Sequence, residues 1–261
     1  MNYGLVRRFF KSGKGIALSI ISAVVIIAIL TAISSENVYA VLAVKNKKVP
    51  IYCVQTEEKK IAISFDCAWG TEHTDDILNA CDDYGIKVTF FAVEFWVKKN
   101  PEYVKKIVSK GHEMGTHSST HSYMSKLSKE KIKQELASSK SAIEEITGKE
   151  VILFRPPYGD YNNALIECAE EAGLYTIQWD VDSLDWKDLS AKDIAYRVIN
   201  KVENGSIILC HNNGLHTAES LPIIFEFLTN KGYSFVPISE LIYKENYVIN
   251  QTGRQKPAKN D

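Results

Sequence analysis

Short apolar runs rich in β-branched and aromatic residues alternate with amphipathic stretches along most of the chain, and this alternation constrains its fold most strongly. The runs predict strands over residues 61–65, 88–93, 114–117, 152–154, 175–179, 207–209 and 235–237. The stretches between them predict helices over residues 75–84, 101–110, 128–147, 162–173, 190–203 and 217–232. Strands that alternate with helices form parallel sheets whose faces the helices cover. The pattern therefore predicts an α/β fold, with a closed or nearly closed barrel as its natural arrangement.

The N-terminal segment predicts a membrane anchor. Residues 16–33 form an uncharged apolar run of 18 residues, which as a helix would rise about 27 Å, close to the hydrocarbon thickness of a bilayer. Four positive charges, which favour the cytoplasmic side of a membrane, precede it at Arg7, Arg8, Lys11 and Lys14. We expect a cytoplasmic segment over 1–15, a single transmembrane helix over 16–33 and the remaining chain outside the cytoplasm. The alternative is a cleaved signal peptide and a secreted protein, because residues 38–40 form an acceptable cleavage site.

The net charge of −1 is the sum of two unlike parts. Residues 1–35 carry a charge of +4, whereas the chain from residue 41 onward has 27 basic and 31 acidic side chains. This balance gives no indication of nucleic acid as a partner. We expect a linker over 34–57, one domain over 58–243 and a polar tail over 244–261 that frays.

Several cysteines and histidines lie outside the predicted strand ends. The five cysteines show no CxxC spacing, and their odd number excludes complete pairing within one chain. Cys81 and Cys168 fall in helical patterns, so we expect them to be small buried side chains. We expect His112 and His216 at the surface.

Polar side chains gather where the predicted strands end. In a βα barrel, the loops that follow the strands form the functional site. The polar residues at five strand ends are Asp66, His117, His121, Arg155, Asp180, Asp182, Asp185 and His211. Because these strand ends meet at one mouth of a barrel, we expect the side chains to surround a single site.

The spacing of His117 and His121 is typical of a metal-binding pair. Histidines four residues apart lie on one face of a helical turn, so both imidazoles can reach one metal ion. Two histidine ligands leave room for a carboxylate or thiolate and for a water molecule. The spacing also occurs by coincidence on protein surfaces, so the interpretation depends on the strand end that precedes it.

Five ordered segments carry a resemblance to a known family. They are Ser64 to Cys67, His117 to His121, Arg155 to Gly159, Asp182 to Trp186, and Leu209 to His211. On these segments residues 58–243 resemble the NodB-type polysaccharide deacetylases, the fourth carbohydrate esterase family. The segment from Phe65 to Gly70 looks like the sporulation subgroup typified by PdaB, whose members are membrane-anchored and act on peptidoglycan.

The resemblance implies a distorted (β/α)7 barrel that hydrolyses N-acetyl groups of cell-wall glycan in spore formation and depends on a divalent metal. His117 and His121 would hold the metal, which would acidify a water molecule. Asp66 would be the general base, held ionised by Arg155. The backbone N–H of Tyr158 would stabilise the oxyanion.

The resemblance also implies roles for the last two segments. His211 would protonate the departing amine, while Asp185 would orient His211 and favour its protonated form. Trp186 and Leu209 would line the pocket that takes the methyl group of the acetyl.

One position departs from the family pattern, because Cys67 stands where the family has a metal-binding aspartate. A Cys67 thiolate could bind the metal, and this ligand would favour zinc. Glu72 or Asp75 could instead supply the third ligand, or the site could bind metal weakly or not at all. An impaired metal site would make the chain a catalytically weakened, glycan-binding relative.

Overall fold

The computed structural model describes Val25 and residues 47–258. The chain divides into two compact units, Met1–Lys47 and Lys48–Asp261, and the fold below is that of the second. The predicted cytoplasmic segment and membrane span, residues 1–33, lie outside the described residues except for Val25, which is helical. Among the described residues no helix is long and apolar enough to cross a membrane. The anchor stays a prediction, which separation of membrane and soluble fractions tests.

Strands and helices alternate as the sequence predicts. The strands are β1 (Cys53–Val54), β2 (Lys60–Cys67), β3 (Thr89–Ala92), β4 (Glu113–Thr116), β5 (Leu153–Phe154), β6 (Tyr175–Thr176), β7 (Val181–Asp182), β8 (Ile207–His211), β9 (Ser234–Phe235), β10 (Tyr247–Ile249) and β11 (Arg254–Pro257). The helices are α1 (Thr74–Asp83), α2 (Glu94–Lys99), α3 (Pro101–Ser109), α4 (Lys129–Thr147), α5 (Asn163–Glu171), α6 (Ala191–Ile199), α7 (Thr217–Asn230) and α8 (Ile238–Leu241). Single 3-10 turns lie at Met124–Lys126, Pro157–Gly159 and Asp185–Lys187.

The main sheet has the strand order β6-β5-β4-β3-β2-β8-β7, with β9 beside β2. Each neighbouring pair is parallel. Parallel pairing brings the carboxyl ends of the strands to one edge, where loops can form a site. The predicted α/β class is confirmed as a half-barrel of parallel strands, consistent with the (β/α)7 fold.

The segment around Ile51 joins edge strand β6 to the beginning of β8. Ile51 donates its N–H to the carbonyl of Thr176 at 2.9 Å, and Gln178 donates to the carbonyl of Ile51 at 2.7 Å. Val54 donates to the carbonyl of Gly205 at 2.9 Å, just before β8. The last residues of the predicted linker over 34–57 therefore pair with the barrel.

Local chemistry explains where the long helix α4 begins and ends. Ser128 precedes it, and the Ser128 hydroxyl accepts a hydrogen bond from the N–H of Lys131 at 3.3 Å. Such caps satisfy a donor that the first turn leaves unpaired. Gly148 follows with φ +64°, a left-handed conformation that glycine adopts without steric cost.

Alternation along β2 separates two buried regions. Ile61, Ile63, Phe65 and Cys67 belong to the core between the sheet and the helices, whereas Ala62 belongs to the core inside the barrel. Because successive strand side chains point to opposite faces, Asp66 lies on the interior side and Cys67 on the helix side. This difference decides the composition of the site.

The expected fraying of the tail from residue 244 is wrong. Strand β10 pairs antiparallel with β11, and β11 pairs parallel with β1. The fully buried side-chain amide of Gln255 accepts from the N–H of Tyr243 at 2.9 Å and donates to its carbonyl at 2.7 Å. Polar residues of the tail therefore form strand pairs and hydrogen bonds, which hydrophobic periodicity does not predict.

The expected surface position of His112 is also wrong. Its side chain is buried, and Nδ1 accepts from the N–H of Val88 at 3.3 Å. His216 is partly exposed and pairs with Glu219. Sequence patterns also miss the six-residue helix α2 and the two-residue strand β7, because both are too short to show a period.

Candidate active site

The carboxyl ends of the strands surround a cavity of about 530 Å³. Its walls include predicted site residues Asp66, His117, His121, Tyr158, Asp182, Trp186, Leu209 and His211. Other lining residues, which the sequence analysis did not assign, are Ala68, Trp69, Trp179 and Asn213. Arg155 and Asp185 are fully buried behind this lining. Asp180 lies at the other end of the sheet, where it accepts from the hydroxyl of Ser206 at 2.9 Å and from the N–H of Ile207 at 2.8 Å.

A buried ion pair forms the floor of the cavity. Arg155 Nη1 donates to Asp66 Oδ1 at 2.7 Å, and Nη2 donates to the hydroxyl of Ser64 at 2.9 Å and to the carbonyl of Gln178 at 3.2 Å. Burial would raise the pKa of Asp66, but the charge of Arg155 and its hydrogen bond to the carboxylate outweigh burial and lower that pKa. The floor therefore presents an ionised carboxylate.

The two histidines do not lie on a helical turn, as the spacing predicts, but on a bent loop after β4. Ser118 and His121 adopt φ values of 75° and 58°, and the imidazole centroids of His117 and His121 are 5.0 Å apart. The two imidazoles are therefore close together as predicted, but a loop and not a helical turn brings them there. Positive φ at non-glycine residues costs about 1–3 kcal/mol each, so surrounding contacts must hold the loop.

Those contacts come from two buried acids. Glu135 on α4 is 1% exposed and accepts from the N–H groups of Ser119 at 3.0 Å and Thr120 at 2.8 Å. It also accepts from the Thr120 hydroxyl at 3.0 Å, while Glu94 on α2 accepts from the Ser119 hydroxyl. Sequence analysis misses Glu135, since a glutamate on a charged helix is ordinarily exposed.

Both imidazoles of this loop are neutral. His117 Nδ1 lies 2.7 Å from the carbonyl oxygen of Arg155, which can only accept, so Nδ1 carries the proton and Nε2 keeps a lone pair. That Nε2 lies 3.5 Å from Asp66 Oδ2. Burial lowers the pKa of His117 and lowers that of His121 to about 4. The Nδ1 atom of His121 is buried without a hydrogen-bond partner among the described residues.

A second acid–histidine pair lies across the cavity. His211 Nδ1 is 2.8 Å from Asp185 Oδ1, and Asp185 Oδ2 accepts from the His211 N–H and the Thr217 hydroxyl, both at 2.7 Å. Burial alone would lower the pKa of His211, but the hydrogen bond and charge of Asp185 raise it. The imidazole is therefore held protonated to a higher pH than usual, with Nε2 left for a molecule in the cavity.

A strained turn follows Arg155. Pro156 and Pro157 have no N–H, so the first backbone donor after Arg155 is that of Tyr158, whose φ is 61°. A Cβ at Gly159 would lie 3.2 Å from the Trp179 ring and 3.3 Å from Gln178 Oε1. Only glycine fits this close approach without displacing its neighbours.

The donor set does not fit a metal held by three protein ligands. His117 and His121 offer two neutral imidazoles beside the Asp66 carboxylate, which is the beginning of such a site. Among the described residues, however, no group of three His, Cys, Asp or Glu side chains is arranged to hold a metal ion. The described side chains therefore do not form the expected three-ligand site.

Cys67 is not brought into the cavity, in contrast to the expectation that it ligates the metal. Its Sγ packs in the helix-side core, 3.8 Å from the carbonyl oxygen of Phe65. Burial, with the nearby charge of Asp66, raises the pKa of the thiol well above its usual range. A protonated thiol on the wrong face of β2 is a poor ligand.

The other two candidate ligands are also remote from the histidines. Asp75 pairs with Lys106 at 2.6 Å and accepts from the hydroxyl of Tyr103 at 3.3 Å. The Glu72 side chain is exposed, and its carboxylate lies beside Gly70. Neither residue lines the cavity.

The position of Cys67 predicts that its substitution leaves zinc binding unchanged. Titration calorimetry of wild type and of Cys67→Ser with Zn²⁺ should give equal dissociation constants of about 1 μM or weaker, because only two imidazoles bind. A dissociation constant of 1 μM corresponds to a binding free energy of about −8 kcal/mol. His121→Ala should abolish the signal. A tenfold loss in Cys67→Ser would show that the thiolate is a ligand, whereas nanomolar affinity in both proteins would show that another group completes the site.

The Glu135 contacts predict a matched pair of variants. Glu135→Gln retains an oxygen for the two N–H groups and an amide that donates to the Thr120 hydroxyl, so amide exchange at Ser119 and Thr120 should stay near that of wild type. Glu135→Ala removes all three bonds and should increase exchange there tenfold or more, since each lost bond costs about 1 kcal/mol. Wild-type protection in Glu135→Ala, measured by hydrogen exchange, would contradict the assignment.

Comparison with known proteins identifies the family. Residues 54–177 match the family model described as polysaccharide deacetylase. The peptidoglycan-N-acetylglucosamine deacetylase of Bacillus cereus is 36% identical over 72% of this chain and 91% of its own length. The uncharacterised protein YlxY of Bacillus subtilis is 35% identical over 74% of this chain, which spans 60% of YlxY.

A solved structure adds a relative of a different kind. BA3943 of Bacillus anthracis, described as a CE4 family pseudoenzyme, superposes with a TM-score of 0.72 at 34% identity, covering 74% of this chain and 68% of that one. A BA3943 mutant described as having restored enzymatic activity superposes equally well, at 35% identity over 74% of this chain and 71% of that chain. The chain thus belongs to the polysaccharide deacetylases of carbohydrate esterase family 4.

Proposed function

We propose that this chain hydrolyses N-acetyl groups of cell-wall glycan. The observation that carries the proposal is that one cavity holds two groups whose partners favour opposite protonation states. Arg155 keeps Asp66 ionised, and Asp185 favours the protonated form of His211. Hydrolysis of an amide needs a base for water and an acid for the leaving amine. Two titratable groups whose surroundings favour opposite protonation states supply both. The deacetylase relative from Bacillus cereus supports peptidoglycan as the substrate class.

In this mechanism Asp66 takes a proton from a water molecule as the water oxygen attacks the amide carbon. The N–H of Tyr158 stabilises the negative charge on the former carbonyl oxygen. His211 then gives its proton to the nitrogen, the C–N bond breaks, and acetate and a free amine leave. Trp186 and Leu209, which line the cavity, enclose the methyl group.

The second candidate function is a glycan-binding relative with weakened catalysis. Two observations favour it: the helix-side position of Cys67 and the likeness to the BA3943 pseudoenzyme. In that case the cavity would bind the amino sugar, but the lack of a third metal ligand would leave the carbonyl without a Lewis acid. The sporulation role stays a prediction from the segment around Asp66.

Acetate release distinguishes the two functions. Wild-type protein with Zn²⁺ should release acetate from N-acetylglucosamine oligomers or peptidoglycan, and Asp66→Asn should lower the rate by about 10²-fold or more, the usual contribution of a general base. His211→Gln, which keeps the Asp66–Arg155 pair, should lose a comparable factor. Circular dichroism spectra that match the wild-type spectrum would show that both variants fold.

Equal release by wild type and Asp66→Asn would contradict the assignment of the base. No release by wild type from either substrate, with Zn²⁺ supplied, would support the glycan-binding alternative.

A further inference from the structure

An exposed tryptophan borders the cavity beside the histidine loop. The Trp69 side chain is 57% exposed, although tryptophan is ordinarily among the more buried residues. Its ring centroid lies 4.9 Å from that of His121 and 6.4 Å from that of Phe95, which is 41% exposed. Trp69 and Phe95 together form an aromatic surface that continues outward from the cavity wall.

Buried side chains hold the backbone next to Trp69 through hydrogen bonds. The carbonyl oxygen of Gly70 accepts from Trp96 Nε1 at 2.7 Å and from Asn212 Nδ2 at 2.9 Å. Trp96 is 1% exposed and Asn212 is fully buried. Asn212 also donates its N–H to the carbonyl of Asp66, so the turn is joined to the floor of the cavity. An exposed indole on a backbone held this way is preorganised for a ligand.

The aromatic side chains on the other side of the histidine loop already contact protein groups. Tyr123 and Tyr158 stack at 4.3 Å with an interplanar angle of 15°. The ammonium of Lys126 lies 4.5 Å from the Tyr123 ring centroid. These contacts occupy ring faces of Tyr123. The rings of His121 and Phe95 are not stacked on Trp69 but are inclined to it by 65° and 47°. More than half of Trp69 is exposed, so its indole remains accessible to a ligand.

We propose that Trp69 and Phe95 form a subsite for the sugar ring next to the one whose acetyl group enters the cavity. The inference rests on the proposed function, since it takes cell-wall glycan as the occupant. A cavity of about 530 Å³ falls within the range for a small ligand, so a glycan must extend beyond it. The C–H face of a pyranose is apolar, and an indole covers such a face with a large rigid area at little entropic cost.

This placement makes Trp69 a specificity-determining residue for chain length. We expect a single N-acetylglucosamine to lie deeper in the cavity and to leave the exposed face of Trp69 uncovered, whereas an oligomer covers that face. Removing the ring should weaken binding of oligomers and leave binding of the monosaccharide unchanged.

Calorimetric titration of the full chain with N-acetylglucosamine and with its tetramer tests this. Trp69→Ala should weaken tetramer binding about tenfold, the size expected for one aromatic stacking contact, with monosaccharide affinity unchanged. Trp69→Phe should retain most of the affinity, and Phe95→Ala should lose less than Trp69→Ala. Tyr196→Ala removes an exposed aromatic on α6 that does not line the cavity and should bind both ligands as wild type does.

Unchanged tetramer affinity in Trp69→Ala overturns the subsite, as does an equal loss for both ligands, which would place Trp69 in the acetyl pocket itself. Absence of tetramer binding by wild type also overturns it. Because the readout is binding, a chain that releases no acetate still supports the subsite when the length-dependent loss appears. Failure of the enzymatic proposal and failure of the subsite are therefore separate results.

Discussion

The buried Arg155–Asp66 pair is the interaction on which the site depends. Removing two charges from water costs several kcal/mol, which only close hydrogen-bonded geometry offsets. Arg155 meets this condition through Asp66, Ser64 and the carbonyl of Gln178, so its side chain joins β5 to β2 and to the loop after β6. Its own carbonyl accepts from His117. One residue thereby fixes both the carboxylate and the first imidazole.

The cavity holds two acid–base candidates, Asp66 and His211, and two candidate metal ligands, His117 and His121, whose surroundings differ. Asp66 and His211 each have a charged partner that favours the protonation state required for amide hydrolysis. The histidine loop keeps two neutral imidazoles in place through Glu135, but alternation along β2 turns Cys67 toward the helices. Among the described residues, an ionised carboxylate and a histidine that stays protonated to a higher pH than usual therefore share a cavity in which no three side chains are arranged to hold a metal ion.

Sequence reasoning found the alternating fold and most of the cavity wall, because parallel strands bring their carboxyl ends together whatever the detailed loop geometry. It failed where a single residue's direction mattered. The bent loop of His117 and His121 depends on buried Glu135, which comes from a distant helix, and the orientation of Cys67 depends on where β2 ends. The polar tail pairs through backbone groups that carry no side-chain signal, and Trp69 lies in a turn without periodicity.

The central claim is that Arg155 holds Asp66 ionised at the floor of the cavity. A carboxyl with a depressed folded pKa contributes stability above its unfolded value, about 3.9, and loses it as the pH falls through the folded value. The direct measurement is the carboxyl carbon titration of Asp66 by NMR, with the resonance assigned by its absence in Asp66→Asn. We predict a pKa below 3.9; a pKa at or above that value would contradict the account.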